Sequence, residues 1–189
     1  MVDTDGRLTV GDTPRTEGIV DFFRESMTRY VLIPSAATLR RDLVMDVGGF
    51  PEGMRMGEDQ WLWTVLARRA AVAFTPQPLA VYSRTASNRS AAIFRPESTS
   101  HSLYELYDPA AEAMSNEYIA RVALGKALVQ SAGGDTAAAA EALRLFSYNR
   151  LSRRIALKVR VLNALPRRVR PAVLSMYNRL AWLLARKGL

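Results

Sequence analysis

Two adjacent carboxylates, Glu58 and Asp59, directly follow Gly57 and directly precede Gln60-Trp61-Leu62-Trp63. A carboxylate at the mouth of a helix can take the proton of a nucleophilic hydroxyl while its neighbour orients the reacting group. The pair also has a plainer use, because acidic side chains in the first turn of a helix answer the positive end of its dipole. Upstream lies Gly48-Gly49-Phe50-Pro51-Glu52, where two glycines permit a backbone turn that comes close to a ligand. Composition closes other chemistries. The chain has no cysteine, which excludes disulfides, thiolate metal sites and thiol nucleophiles. It has a single histidine, His101, which excludes a multi-histidine zinc site. A Ser-His-Asp triad would have to use His101, for which the sequence offers no evident partner.

The elements around these residues read as follows. Asp5-Gly6 is a hairpin signal ahead of the alternating Arg7-Leu8-Thr9-Val10. Asp21 to Arg29 fits a short helix with Phe22 and Phe23 inward. Tyr30-Val31-Leu32-Ile33, ended by Pro34, reads as a buried strand, with Ala36 to Leu39 as a second. Leu43 to Val47 is a short helix stopped by Gly48-Gly49. A further helix opens at Glu58-Asp59, with an apolar face through Leu62, Val65 and Leu66. Val72 to Phe74 and Leu79 to Tyr82 are strands. Beyond residue 96 almost everything is helix-compatible. Ser115 to Ala132 is closed by Gly133-Gly134, and Asp135 caps Thr136 to Tyr148. Leu151 to Leu165 and Pro171 to Lys187 are two basic helices, the first with a stripe of Leu151, Ile155, Val159 and Leu162. The sequence thus divides into an α/β part over 1–96, a helical hairpin over 97–149 and a basic amphipathic tail over 150–189.

With 189 residues, 49% hydrophobic and 23% charged, the chain has the composition of a globular protein of one domain or slightly more. Its formal charge of +8 is uneven: residues 150–189 hold eleven Lys/Arg and no acid, leaving the remainder at −3. Cations in that density are drawn to an anionic membrane surface. The other readings of the tail are a solvated helical extension and a nucleic-acid surface. The last is disfavoured, because Tyr177 and Trp182 fall on apolar faces rather than between the arginines. The polar, acidic N-terminus lacks the apolar core of a secretory signal. Leu180 to Ala185 falls far short of the roughly 20 apolar residues that cross a bilayer. The expected location is cytoplasmic, soluble or peripheral on the inner face of the membrane.

One ordered set of residues is similar to the acceptor-side half of family-2 inverting glycosyltransferases, which have the GT-A fold. It runs Arg40-Arg41, Val47-Gly48-Gly49-Phe50, Glu52, Gly57-Glu58-Asp59, Leu62-Trp63, Pro78-Leu79 and Tyr82 with Arg84, over about residues 30–90. The resemblance implies that Asp59 is the general base deprotonating the acceptor hydroxyl and that Glu58 either supports it from behind or hydrogen-bonds the acceptor sugar. Gly48, Gly49 and Phe50 would shape the acceptor loop. Trp63 would offer an apolar face, with ordinary core packing as its plainer use, and Arg84 would offset charge on the leaving diphosphate. It further implies a nucleotide-sugar donor, a sugar or lipid-linked envelope acceptor, and a divalent Mg or Mn ion. Departures from the pattern are Trp61, where the family carries an acid, Pro51 after Gly-Gly-Phe, Val65 for its helix arginine, and Thr85 for its frequent histidine.

The family's metal ligands follow a βαβ nucleotide-binding region. No such region precedes residue 30, so the chain reads as beginning part-way through the domain, and this portion alone is expected to be inactive. Asp3-Thr4-Asp5 has the letters of the metal motif but sits in a hairpin signal, and is read as a turn. A different class of function stays open beside this one: a non-catalytic helical adaptor or membrane-surface module built on 97–189, with the α/β part as scaffold.

Overall fold

A computed structural model describes residues 2–4, 7–9, 17–29, 31–54, 57–83, 103–111, 113–147 and 149–186. They form two compact units, residues 1–118 and 119–189. The described chain is mostly helical, with small sheets and a helical C-terminal region.

In the first unit, strand β1 (Val2–Thr4) pairs antiparallel with β2 (Arg7–Thr9), Thr4 opposite Arg7, as the Asp5-Gly6 signal between them predicts. Strand β5 (Tyr82–Ser83) joins β1 in parallel on its other side. A separate sheet pairs β3 (Gly18–Val20) with β4 (Val72–Phe74), antiparallel. Helix α1 (Phe22–Ser26) begins where Asp21 accepts the Arg24 N–H at 3.0 Å. Phe22 and Phe23 turn inward, each edge-on or tilted against Tyr118 at 5.6 and 5.9 Å between ring centroids. Helix α2 (Arg41–Asp46) ends on Gly48 and Gly49, both at positive φ (+83° and +75°), whose amides reach back to Met45 and Val44 carbonyls. Left-handed residues that close a helix in this way are glycine by steric preference.

Two strand expectations fail here. Val31 to Ile33 joins no ladder, although Ile33 is extended; Pro34–Ala36 is a single 3-10 turn, and residues 37–40 are again unpaired. Val31 is buried all the same. Apolar β-branched runs signal burial first and pairing second, because pairing needs a neighbouring edge that hydropathy does not encode. Likewise Leu79 and Val81 stand exposed outside any strand, and pairing begins at Tyr82.

In the second unit, helix α4 (Ala113–Gly133), which starts in the first, is followed by α5 (Thr136–Phe146), α6 (Arg153–Ala164) and α7 (Arg170–Arg186). Asp135 caps α5 by accepting the Ala138 N–H at 3.0 Å. Gly134 turns the chain at φ +99°, with the Arg167 guanidinium lying so close that a Cβ there would meet Nε at 2.5 Å. The core is Ile119, Leu124, Phe146 and Val159, with Ala127, Ala139, Ala142 and Ala156 as small residues between them, all essentially inaccessible. The inward arc of α6 is Ser152, Ala156, Val159 and Leu162, which keeps the C-terminal half of the predicted stripe, Val159 and Leu162, and loses the rest: Leu151 is exposed and Ile155 only half-buried. Small residues, Ser152 and Ala156, supply the packing at the start of the helix, where a stripe read from large aliphatics alone misses it.

Arg170, at the first position of α7, is 8% exposed. Its Nε donates to the Leu165 carbonyl at 2.8 Å, Nη2 to Asn163 at 3.0 Å and Nη1 to Ser131 at 3.4 Å. These carbonyls belong to the C-terminal ends of α6 and α4, where backbone acceptors lack intrahelical donors and the dipole is negative. A buried cation is thus balanced by two helix ends rather than by a carboxylate.

Candidate functional site

Helix α3 (Glu58–Ala67) opens from Gly57, which sits at φ +85° and carries no side chain to cap the turn. Its first N–H groups therefore need other acceptors. Asp59 provides one: its Oδ1 accepts the Gln60 N–H at 2.7 Å. The dipole-satisfying use of this acid is real, but it occupies one oxygen. Oδ2 receives no hydrogen bond from the described residues, and Glu58 makes none with them. Both acids are half-buried at the helix start.

Trp63 lies one turn along the same side of α3 as Asp59, at i+4. It is 4% exposed, so packing is its evident use. The glycine turn after α2 brings Phe50 onto it: the rings meet edge to face at 6.4 Å and 72°. Phe50 itself remains 47% exposed, so the open ring in this region belongs to Phe50. A Cβ built on Gly48 or Gly49 would touch nothing within 4 Å, so both are required for their φ and not for room. The indole N–H groups of Trp61 and Trp63 are buried without an acceptor.

Arg40, at the head of the ordered set, is held locally by both oxygens of Asp42, and its guanidinium keeps that exposed carboxyl below the usual carboxylate range. Arg84 and His101 lie outside the described residues. The sequence reading missed what fixes the far end of α3: Arg68 donates from Nε and Nη2 to the Oγ of fully buried Ser115, at 3.1 and 3.0 Å. The partners are 47 residues apart, and no local pattern announces the contact. Next to it, Asn116 accepts from the Asp108 N–H and donates to the Asp108 carbonyl, locking the start of α4.

No three His, Asp or Glu side chains gather as metal ligands among the described residues. What converges is a half-open aromatic ring, a buried indole beneath it and, one turn away, a carboxylate with an uncommitted oxygen. Comparison of the chain with family models, curated proteins and solved structures finds no match.

Proposed function

We propose that residues 1–96 are the acceptor side of an inverting glycosyltransferase that moves a sugar from a nucleotide donor to an envelope or lipid-linked acceptor. The observation that carries this reading is the placement of Phe50 on Trp63, one helical turn from Asp59. Sugars present an apolar C–H face and hydroxyl edges at once, and an aromatic ring near a carboxylate is complementary to both. In the reaction, the acceptor hydroxyl proton passes to the free oxygen of Asp59 as the hydroxyl oxygen bonds to the anomeric carbon. The bond from that carbon to the diphosphate oxygen breaks on the opposite face, and its electron pair leaves with the diphosphate. Glu58 orients the acceptor, and Arg84 offsets the charge released.

Binding of methyl hexosides to the protein, followed through tryptophan fluorescence, tests the aromatic part of the site. Phe50→Ala should weaken binding about 3- to 10-fold, as loss of one aromatic contact does, with Phe50→Tyr restoring it. Equal binding by the wild type and Phe50→Ala would remove Phe50 from the acceptor site.

A second reading concerns residues 150–189, which we propose act as a membrane-surface module. Support comes from Leu157, Val161, Met176 and Leu180, all more than half exposed on helices that carry cations and no acid. No described helix is long and apolar enough to cross a membrane. Sedimentation with phosphatidylglycerol vesicles should be strong near 0.05 M salt and largely lost near 0.5 M, as the Debye length contracts from about 14 to about 4 Å. Equal binding to neutral phosphatidylcholine would overturn it.

A further inference from the structure

We infer that the groove between α6 and α7 is a site for one acyl chain of an anionic membrane lipid, with Lys158 at its mouth receiving the headgroup phosphate. The source of the lipid rests on the membrane-surface reading; the groove itself does not. Its walls are aliphatic: Leu157, Val161 and Leu162 from α6, Val173 and Leu174 from α7, and Leu128 from α4. Lys158 and Tyr177 complete the lining. The cavity holds about 250 Å³, just below the roughly 300–1,000 Å³ of sites built for drug-sized ligands.

Hydrogen-bonding capacity in the groove is confined to one place. Lys158 Nζ donates to the Tyr177 hydroxyl and sits 4.3 Å from the centroid of the same ring, tying α6 to α7. Lys158 forms no ion pair among the described residues, and residues 150–189 contain no carboxylate that could supply one. An occupant must therefore be apolar along its length and anionic at one end. A second copy of this chain fails the charge condition, since it would set eleven cations against eleven. An acidic amphipathic helix carries acids along its length, whereas Lys158 is the one cation of the lining. A phospholipid chain with its phosphate satisfies both. Burying the methylenes of such a chain is favourable, so the groove adds a contribution that flat electrostatic adsorption lacks.

The test uses the full chain and two substitutions, Val161→Lys and Leu157→Lys. Both sites are more than half exposed, so the helix is retained, and both changes add a cation, so electrostatic attraction is kept or strengthened while the groove wall becomes polar. The probe is dodecyl phosphate below its micelle concentration, titrated calorimetrically, with inorganic phosphate as comparison. The expected result is one saturable site in the wild type, at least ~10-fold weaker in both variants, and at least ~10-fold weaker for inorganic phosphate. Equal binding by wild type and both variants overturns the groove, as does inorganic phosphate binding as tightly as its dodecyl ester. A wild-type dimer that either variant dissociates also overturns it, by assigning the face to a second copy. Phosphatidylglycerol vesicle binding separates the two readings. If vesicles bind but dodecyl phosphate does not, the groove fails and the surface reading stands; if dodecyl phosphate binds but vesicles do not, the membrane source fails and a soluble anionic amphiphile takes its place.

Discussion

Asp59→Asn, in the proposed transferase with a nucleotide-binding half supplied, is expected to lower sugar transfer at least ~100-fold, the usual cost of removing a general base, while leaving melting temperature and sugar affinity nearly unchanged. The substitution is chosen because asparagine keeps the Oδ1 acceptor that meets the Gln60 N–H at 2.7 Å, so the start of α3 survives. What it removes is the proton-accepting capacity of the second oxygen. Glu58→Gln, at the neighbouring position, should cost less than about tenfold, since orientation of an acceptor hydroxyl is still available from an amide. The two roles of Asp59 give opposite signatures. If it only answers the helix dipole, Asp59→Asn costs at most about 1 kcal/mol of stability and transfer stays within about threefold. If it is the base, transfer collapses and stability does not. Activity measured together with thermal melting on the same preparation separates them.

The parts of this structure that sequence reading reached are those with local causes. Asp21 and Asp135 cap helices through N–H groups three residues away, and Gly48-Gly49 closes α2 through carbonyls three and five residues back. The opening of α3 at Glu58 follows from Gly57 and two acids. Phe22 and Phe23 turn inward as a helical reading of residues 21–29 requires. The failures share a different physical origin. Tyr30 to Ile33 has strand composition, but a ladder needs a second chain segment at hydrogen-bonding distance, which hydropathy does not encode. The inward arc of α6 is carried partly by Ser152 and Ala156, residues too small to register as a stripe. In the candidate site, the carboxylates and the glycine turn were legible as types, yet the contact between Phe50 and Trp63 spans a loop whose path no spacing rule gives. Arg68 with Ser115 and Arg170 with Ser131 lie 47 and 39 residues apart. By its place in a basic run between prolines, Arg170 looks like a solvated charge; only tertiary packing turns it into the buried centre of two helix ends.

That centre makes Arg170→Met the most destabilising single change expected in residues 119–189 that creates no large cavity. Methionine follows the aliphatic stem and fills most of the volume, so the loss is chiefly one of donors. The Asn163 and Leu165 carbonyls lose the guanidinium donor, and the Ser131 carbonyl keeps only its bond from the Gly134 N–H. Bonds from a charged donor contribute roughly 1.5–3 kcal/mol each before the cost of burying the cation is subtracted. A net loss of about 3 kcal/mol results, and in a unit of this size it lowers the melting temperature by roughly 15 °C. Arg170→Lys should recover less than half of this, because one ammonium cannot span carbonyls from two helices as a planar fork does. The position of Arg170 in its own helix sharpens the argument. A cation at the first residue of α7 faces the unfavourable end of that dipole, so its burial there requires that the C-terminal ends of α4 and α6 more than offset it. Surface arginines such as Arg153 and Arg168 have no comparable partners, and their alanine variants should melt within about 2 °C of wild type. Salt discriminates further: the Arg170→Met deficit should persist at 0.5 M, because a buried guanidinium is little screened. A Met variant that melts with the surface variants would show that the two helix ends hold together without the cation, and that hydrocarbon packing around Phe146 and Val159 alone sets the unit's stability.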